Sequence, residues 1–193
     1  MKIYTKGGDN GTSTIFSGSR YSKSELVFEV LGTLDELNAC LGFLHNSKLK
    51  RVSKIVYQIQ MDLFSIGAYV AGKDFGKVEK TVWKEKIHDM EELIDEIDAA
   101  IEPLRHFILP GGCVEANQLH LSRAVCRELE RRLVAYINHD DEKKFVFLQR
   151  YINRLSDLLF VLARFANHQK KIKEIVWRGN SLLNRVKKGK SSG

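Results

Sequence analysis

"QRYINRLSDLLFVLARFAN", residues 149–167, decides the fold. It holds no glycine or proline, and apolar side chains cover most of its helical circumference. A surface helix carries one apolar stripe, whereas a helix apolar on nearly every side is enclosed by other elements. The stretch therefore predicts a central helix. One narrow sector breaks the pattern. Arg150, Asn153, Asp157 and Arg164 fall together on the helical wheel, with Phe160 beside them. Buried polar groups need partners. Arginine offers a rigid fork for carboxylate or phosphate. Asparagine both donates and accepts, as a base or ribose requires. Two readings stay open: an internal network pairing Asp157 with Arg150 or Arg154, or a ligand site.

Outward from this helix, the same periodicity recurs four times. Leu34, Leu37, Leu41 and Leu44 mark a helix within 26–46. Ile55, Ile59, Leu63 and Ile66 mark one over 52–71. Ile87, Met90, Ile94 and Ile97 mark one over 84–101. After the breaker FILPGG, residues 107–112, a fourth runs over 114–138 and the fifth over 143–167. The stretch 14–25, TIFSGSRYSKSE, reads as a loop, and a weaker segment closes the chain near Trp177. Pro103 and Pro110 are the only prolines, which permits long helices. Short connectors and little strand signal predict an all-α, five-helix up-down bundle. One domain is expected over 1–193: an N-terminal loop to residue 25, a bundle over 26–168, and a C-terminal segment with a basic tail over 169–193.

Composition narrows the class. The net charge is +7, but Arg185, Lys187, Lys188 and Lys190 all lie in the last residues. Without those four the excess falls to +3, so the charge is largely a tail and gives little support to nucleic acid. No apolar run is long enough for a membrane span. The three cysteines, Cys40, Cys113 and Cys126, have no disulfide or zinc spacing, and Cys40 and Cys126 read as small core residues. A reduced, cytoplasmic protein is expected, or a mitochondrial matrix one if a presequence has been removed.

On the fourth helix Leu119, Leu121, Val125, Cys126, Leu129 and Leu133 share one arc, read as the core face. Arg123, Arg127 and Arg131 stand at i, i+4 and i+8 outside it, with His120 and Glu130 nearby. Stacked cations repel mildly. The stripe is either a solvated face with Glu130 as local partner, or a surface that meets carboxylates or phosphates.

The opening stretch YTKGGDNGTST, residues 4–14, has the composition of an anion nest. Glycines 7, 8 and 11 let backbone N–H groups converge. Thr5, Thr12, Ser13 and Thr14 add hydroxyls, and Lys6 and Lys23 add charge. Asp9 could serve a metal or pin the loop. The Walker A pattern is absent. No inward-facing pair of ligands of the di-iron bundle type is evident, so no metal cage of protein side chains is expected.

Six segments now stand in order: YTKGGDNGTS, SGSRYSK, EVLGTLDELNACLGF, FILPGG, LHLSRAVCRELERR and YINRLSDLLFVLAR. Together they resemble the PduO-type ATP:cob(I)alamin adenosyltransferases over roughly residues 2–168. The resemblance implies a homotrimer with active sites between subunits. It implies transfer of the 5′-deoxyadenosyl group of ATP to cob(I)alamin, giving adenosylcobalamin and tripolyphosphate, with Mg2+ carried by the nucleotide. A reductase and an adenosylcobalamin-dependent acceptor enzyme are the implied protein partners. Thr5, Lys6, Gly8, Asp9, Gly11 and Lys23 match the ATP loop and its phosphate lysine. Arg127 and Asn153 match ATP-contacting positions, and Glu130 and Arg131 complete that motif. Asp35 and Arg123 match an intersubunit ion pair, and Phe107 a phenylalanine at the lower face of the corrin. Gly7 departs from the usual threonine, and Glu128 stands where many relatives carry arginine, off the cationic stripe.

Overall fold

The computed structural model describes residues 3, 4, 6–72, 79–139 and 145–178. Thr5 and the basic residues beyond 178 lie outside them. A small hairpin, β1 (Thr12–Thr14) and β2 (Arg20–Ser22), precedes five helices. These are α1 (Leu26–Gly42), α2 (Lys50–Val70), α3 (Glu79–Ala99), α4 (Val114–His139) and α5 (Val146–Gln169).

The fifth helix is enclosed as its sequence predicts. From Leu158 to Asn167 every residue except the half-buried Phe160 is buried. It packs against α3, α4 and α2, while α1 packs against α4 and α2. One apolar cluster joins Leu37, Leu63, Ile97, Leu129 and Leu159 from the five helices. Each such leucine or isoleucine contributes roughly 1.5–3 kcal/mol relative to exposure. No helix among the described residues is long and apolar enough to cross a membrane.

Two expectations need correcting. The stretch read as a loop, 14–25, contains β2 and the end of β1, paired antiparallel in the register Thr12↔Ser22, Ser13↔Tyr21 and Thr14↔Arg20. Its strands are too short and polar to show apolar alternation. The core face of α4 is also rotated from the expected arc. Leu119, Cys126, Leu129 and Leu133 are buried, but so are His120 and Ser122, while Leu121 is 53% exposed and Val125 half-buried. Because α4 lies between α1 and α5, it buries a wider and differently centred arc than one face requires.

Asp62 is a further surprise. The residue is 7% exposed, and its carboxylate accepts from Lys86 Nζ at 2.7 Å and from the Tyr151 hydroxyl at 2.9 Å. Burial, then the Asp62 charge, pushes the Tyr151 phenol well above its usual range. This buried group is thus paired and hydrogen-bonded, as burial demands.

Candidate active site

The N-terminal loop is shaped by its backbone. Asp9 N–H donates to the Lys6 carbonyl at 3.4 Å, Gly11 N–H to that of Gly8 at 3.3 Å, and Lys23 N–H to that of Gly11 at 2.8 Å. Lys6 and Gly11 both take positive φ, 59° and 73°. Arg20 braces the turn from below, donating to Thr12 Oγ1 at 2.8 Å and to the Gly7 carbonyl at 3.0 Å. The Lys23 ammonium lies over Gly8, where an added Cβ would stand 2.9 Å from Nζ. Gly8 therefore clears the space that the lysine occupies. Lys6 and Asp9 are exposed.

A second group forms where α4 meets α5. Asn153 Nδ2 donates to Glu130 Oε1 at 2.9 Å. A cleft of about 370 Å³ opens between α3, α4 and α5, lined by Asp95, Asp98, Arg123, Arg127, Ser156 and Asp157, with Phe160 and Arg164. Arg123 and Arg127 make no ion pair among the described residues, and Arg123 Nε is buried without a partner. Arg131 is ion-paired to Glu128, which also accepts from Arg132 Nε at 2.8 Å. Glu128 therefore holds both Arg131 and Arg132, a role its place off the stripe did not suggest.

The polar sector of α5 divides in two. Asn153 and Asp157 are exposed, and Asp157 pairs with Arg154 at 3.1 Å. Arg164 is buried and internal, meeting Asp98 and Glu174, both at 3.2 Å. The internal pairing expected of Asp157 is thus the one with Arg154 rather than Arg150, and Arg164 has its own partners at the far end of the helix.

Phe107 is 80% exposed, on the connection between α3 and α4. Trp177 N–H donates to the Phe107 carbonyl at 2.7 Å, and Leu109 N–H to that of Ile175 at 2.8 Å. The ribbon so formed alternates by residue. Phe107 meets Trp177 edge to face at 6.5 Å, while His106, Ile108 and Val176 line a cleft of about 880 Å³ behind it.

The structure does not gather all of these residues at one place in a single chain. The hairpin is tied to the end of α2, where Ser17 N–H donates to the Ala71 carbonyl at 3.2 Å. There Tyr69 also meets Phe145, at the start of α5. Phe107 sits by the end of α5, about 20 Å further along that helix than Asn153. Asp35 is exposed on α1, and no ion pair joins it to Arg123 within the chain.

A family profile described as cobalamin adenosyltransferase matches residues 3–166. The chain belongs to the cobalamin adenosyltransferase family. It is 40% identical to corrinoid adenosyltransferase PduO of Salmonella typhimurium, across 85% of this chain but 49% of that one. It therefore spans about half the length of that relative. A corrinoid adenosyltransferase of Citrobacter freundii is 38% identical across 84% of this chain and 93% of its own. Among solved structures, a variant PduO-type ATP:corrinoid adenosyltransferase from Lactobacillus reuteri, complexed with cobalamin and ATP, superposes with a TM-score of 0.80. The two are 31% identical, covering 92% of this chain and 97% of that one.

In this adenosyltransferase, sequence reasoning missed three contributors to the site's framework. Asn167 and the extended segment 172–177 hold the Phe107 connection, and His120 is buried against Phe160 with both ring nitrogens unpartnered. For Asn167 and His120 the sequence signal was a polar residue on a helix, and for the segment only its place near Trp177.

Proposed function

We propose that the protein transfers the 5′-deoxyadenosyl group of ATP to cob(I)alamin, forming adenosylcobalamin and tripolyphosphate. The observation that carries this reading is the pairing of Asn153 with Glu130 beside Arg127, which makes no ion pair among the described residues, in a chain of the adenosyltransferase family. Relatives bearing that activity in their names, and neighbours complexed with cobalamin and ATP, support it.

The chemistry suits these residues. Cobalt(I) of the substrate attacks C5′ of the ribose. A cobalt–carbon bond forms, the C5′–O bond breaks, and its electron pair leaves with tripolyphosphate. No protein nucleophile or general base is required. The protein orients the two substrates and stabilises charge on the departing chain. Lys6, Lys23, the glycine-rich amides and Arg127 are placed in that second role. Asn153 and Glu130 orient the nucleoside, and Arg131 supports the motif. Among the described residues no three His, Cys, Asp or Glu side chains converge on one point. A magnesium ion carried by the phosphates would neutralise charge on the leaving group, and the exposed Asp9 is a loop carboxylate that could hold it.

Phe107 presents an apolar ring to the lower face of the corrin. Excluding an axial ligand there eases reduction of cobalt(II) to cobalt(I), because axial ligation and polarity tune such centres. A homotrimer completes the site. Asp35 of one subunit pairs with Arg123 of the next, and the exposed Leu121 adds apolar area beside it.

The test is anaerobic. Protein, Mg-ATP and chemically reduced cob(I)alamin are mixed, and the cob(I)alamin absorption is followed. Enzyme-dependent decay to a light-sensitive alkylcobalamin is expected. No decay, with ATP binding intact by calorimetry, would overturn the reading in favour of a nucleotide-binding regulator.

A further inference from the structure

The connection that carries Phe107 runs from Ala100 to Cys113 with no helix and a single β-bridge, Ile108 to Val176. Its order comes from side chains at the end of α5. Arg164, buried at 5% exposure, donates to the Glu102 carbonyl at 2.5 Å and so holds the start of the connection. Asn167 holds its end. At 1% exposure, its Oδ1 accepts from Cys113 N–H at 2.9 Å and its Nδ2 donates to the Gly111 carbonyl at 2.9 Å. Its own backbone carbonyl accepts from Ile172 N–H at 2.9 Å, where the segment that pairs with Phe107 begins.

The fit requires a carboxamide. One acceptor and one donor are needed at the same side-chain end, and neither aspartate nor leucine offers both. The turn has closed fully onto it. Gly112 has φ of +127°, and a Cβ there would lie 1.9 Å from Asn167 Oδ1. Asn167 lines neither cleft, and at 1% exposure its side chain offers no open face to a ligand.

We propose that Asn167 is a positioning residue for Phe107: it locks the Pro110–Cys113 turn and the 172–177 segment onto α5, and so fixes where the aromatic ring stands. The inference rests on the adenosyltransferase reading, in which that ring excludes the lower axial ligand. Loss of Asn167 then acts on reduction of the corrinoid more than on adenosyl transfer.

The full chain is tested as Asn167→Ala, Asn167→Asp and Gly112→Ala. Each is assayed with cob(II)alamin plus reductant and with preformed cob(I)alamin. Emission of Trp177 is read separately in a Trp83→Phe background without corrinoid. Asn167→Ala is expected to lower the cob(II)alamin-dependent rate about tenfold or more, since small misplacements of a positioning group are costly. The cob(I)alamin rate falls much less, the KM for ATP is nearly unchanged, and Trp177 becomes more accessible to quencher. Gly112→Ala, which drives the turn off Asn167 from the other side, gives the same split, and Asn167→Asp an intermediate one. Equal loss of both rates in folded protein, or no loss with unchanged Trp177 emission, overturns the proposal. If Asn167→Ala fails to fold, the other two variants decide it by the same criteria. A wild-type protein that adenosylates neither corrinoid sinks the enzymatic reading, and Trp177 emission then still decides whether Asn167 sets the loop.

Discussion

Asn153 on α5 donates to Glu130 on α4 at 2.9 Å, so one hydrogen bond joins the two helices at the residues proposed to face the nucleotide. Neither side chain is buried, so removing the pair costs the fold little. Asn153→Ala and Glu130→Ala should each lower kcat/KM for adenosyl transfer about 100-fold or more, the scale of a lost charge-orienting group. Thermal midpoints should move by only a few degrees. Steady-state kinetics and melting curves on the same preparations check both halves. A large fall in stability with proportionate activity would make the pair a brace only.

Gly8 clears the space that the Lys23 ammonium occupies. Gly8→Val therefore displaces Lys23 without removing its charge. Titration calorimetry with Mg-ATP should show affinity weakened about tenfold or more, as loss of a charge-assisted contact implies. Gly18→Ala provides a control at a turn glycine with open space around it, although its φ of +86° carries some strain. Equal affinity in Gly8→Val and wild type would remove Lys23 from the phosphate site.

His120 gives the protein an acid-sensitive joint. Burial, and then the charge of Arg123, holds its pKa down at about 4 from the ordinary 6.5. The unfolded chain thus binds the proton more tightly than the folded protein. Stability is complete above about pH 6.5 and falls as pH drops toward 4. A shift of this size corresponds to a loss on the order of 2–3 kcal/mol. Urea midpoints between pH 7.5 and 4.5 should follow that slope, and His120→Phe should flatten it. An unchanged slope in the variant would assign the acid sensitivity to other groups.

Asp62 binds α2 to α3 and α5 through Lys86 and Tyr151. Asp62→Ala leaves an inward cation and a buried phenol without their acceptor and should cost about 3–5 kcal/mol. Tyr151→Phe removes one hydrogen bond and should cost about 1–2 kcal/mol. Chemical denaturation measures both. Equal small effects would mean that the carboxylate is solvated despite its burial.

How much of this was readable from the sequence differs by element. The helices were, because Leu34–Leu44 and Ile87–Ile97 repeat at helical spacing over several turns. The buried α5 was, because its apolar residues leave no exposed face over its second half. The centring of α4 was not. Leu121 lies in the apolar arc on a wheel yet is exposed, and His120 lies outside it yet is buried, since two neighbouring helices rather than one decide its burial. The hairpin was hidden by its short polar strands. The hold of Asn167 on the Gly111–Cys113 turn joins residues more than fifty apart and leaves no local pattern. The candidate ATP and corrinoid residues came from matched motifs. Periodicity singled out Arg127, Asn153 and Arg164 alike, and only the structure separates the buried Arg164 from the open pair.

The glycine loop and Phe107 stand at opposite ends of the bundle, and this has a genetic consequence. In the proposed trimer, a nucleotide loop would serve a neighbour's helices rather than its own. A chain defective only in the loop and a chain defective only at Arg127 are then each inactive alone. Mixed before assembly, they regain activity, because about one junction in four pairs an intact loop with an intact bundle face. Two alleles that fail separately would thus complement when coexpressed. A double defect carried on a single chain would complement neither of them, since it lends no sound surface to the ring.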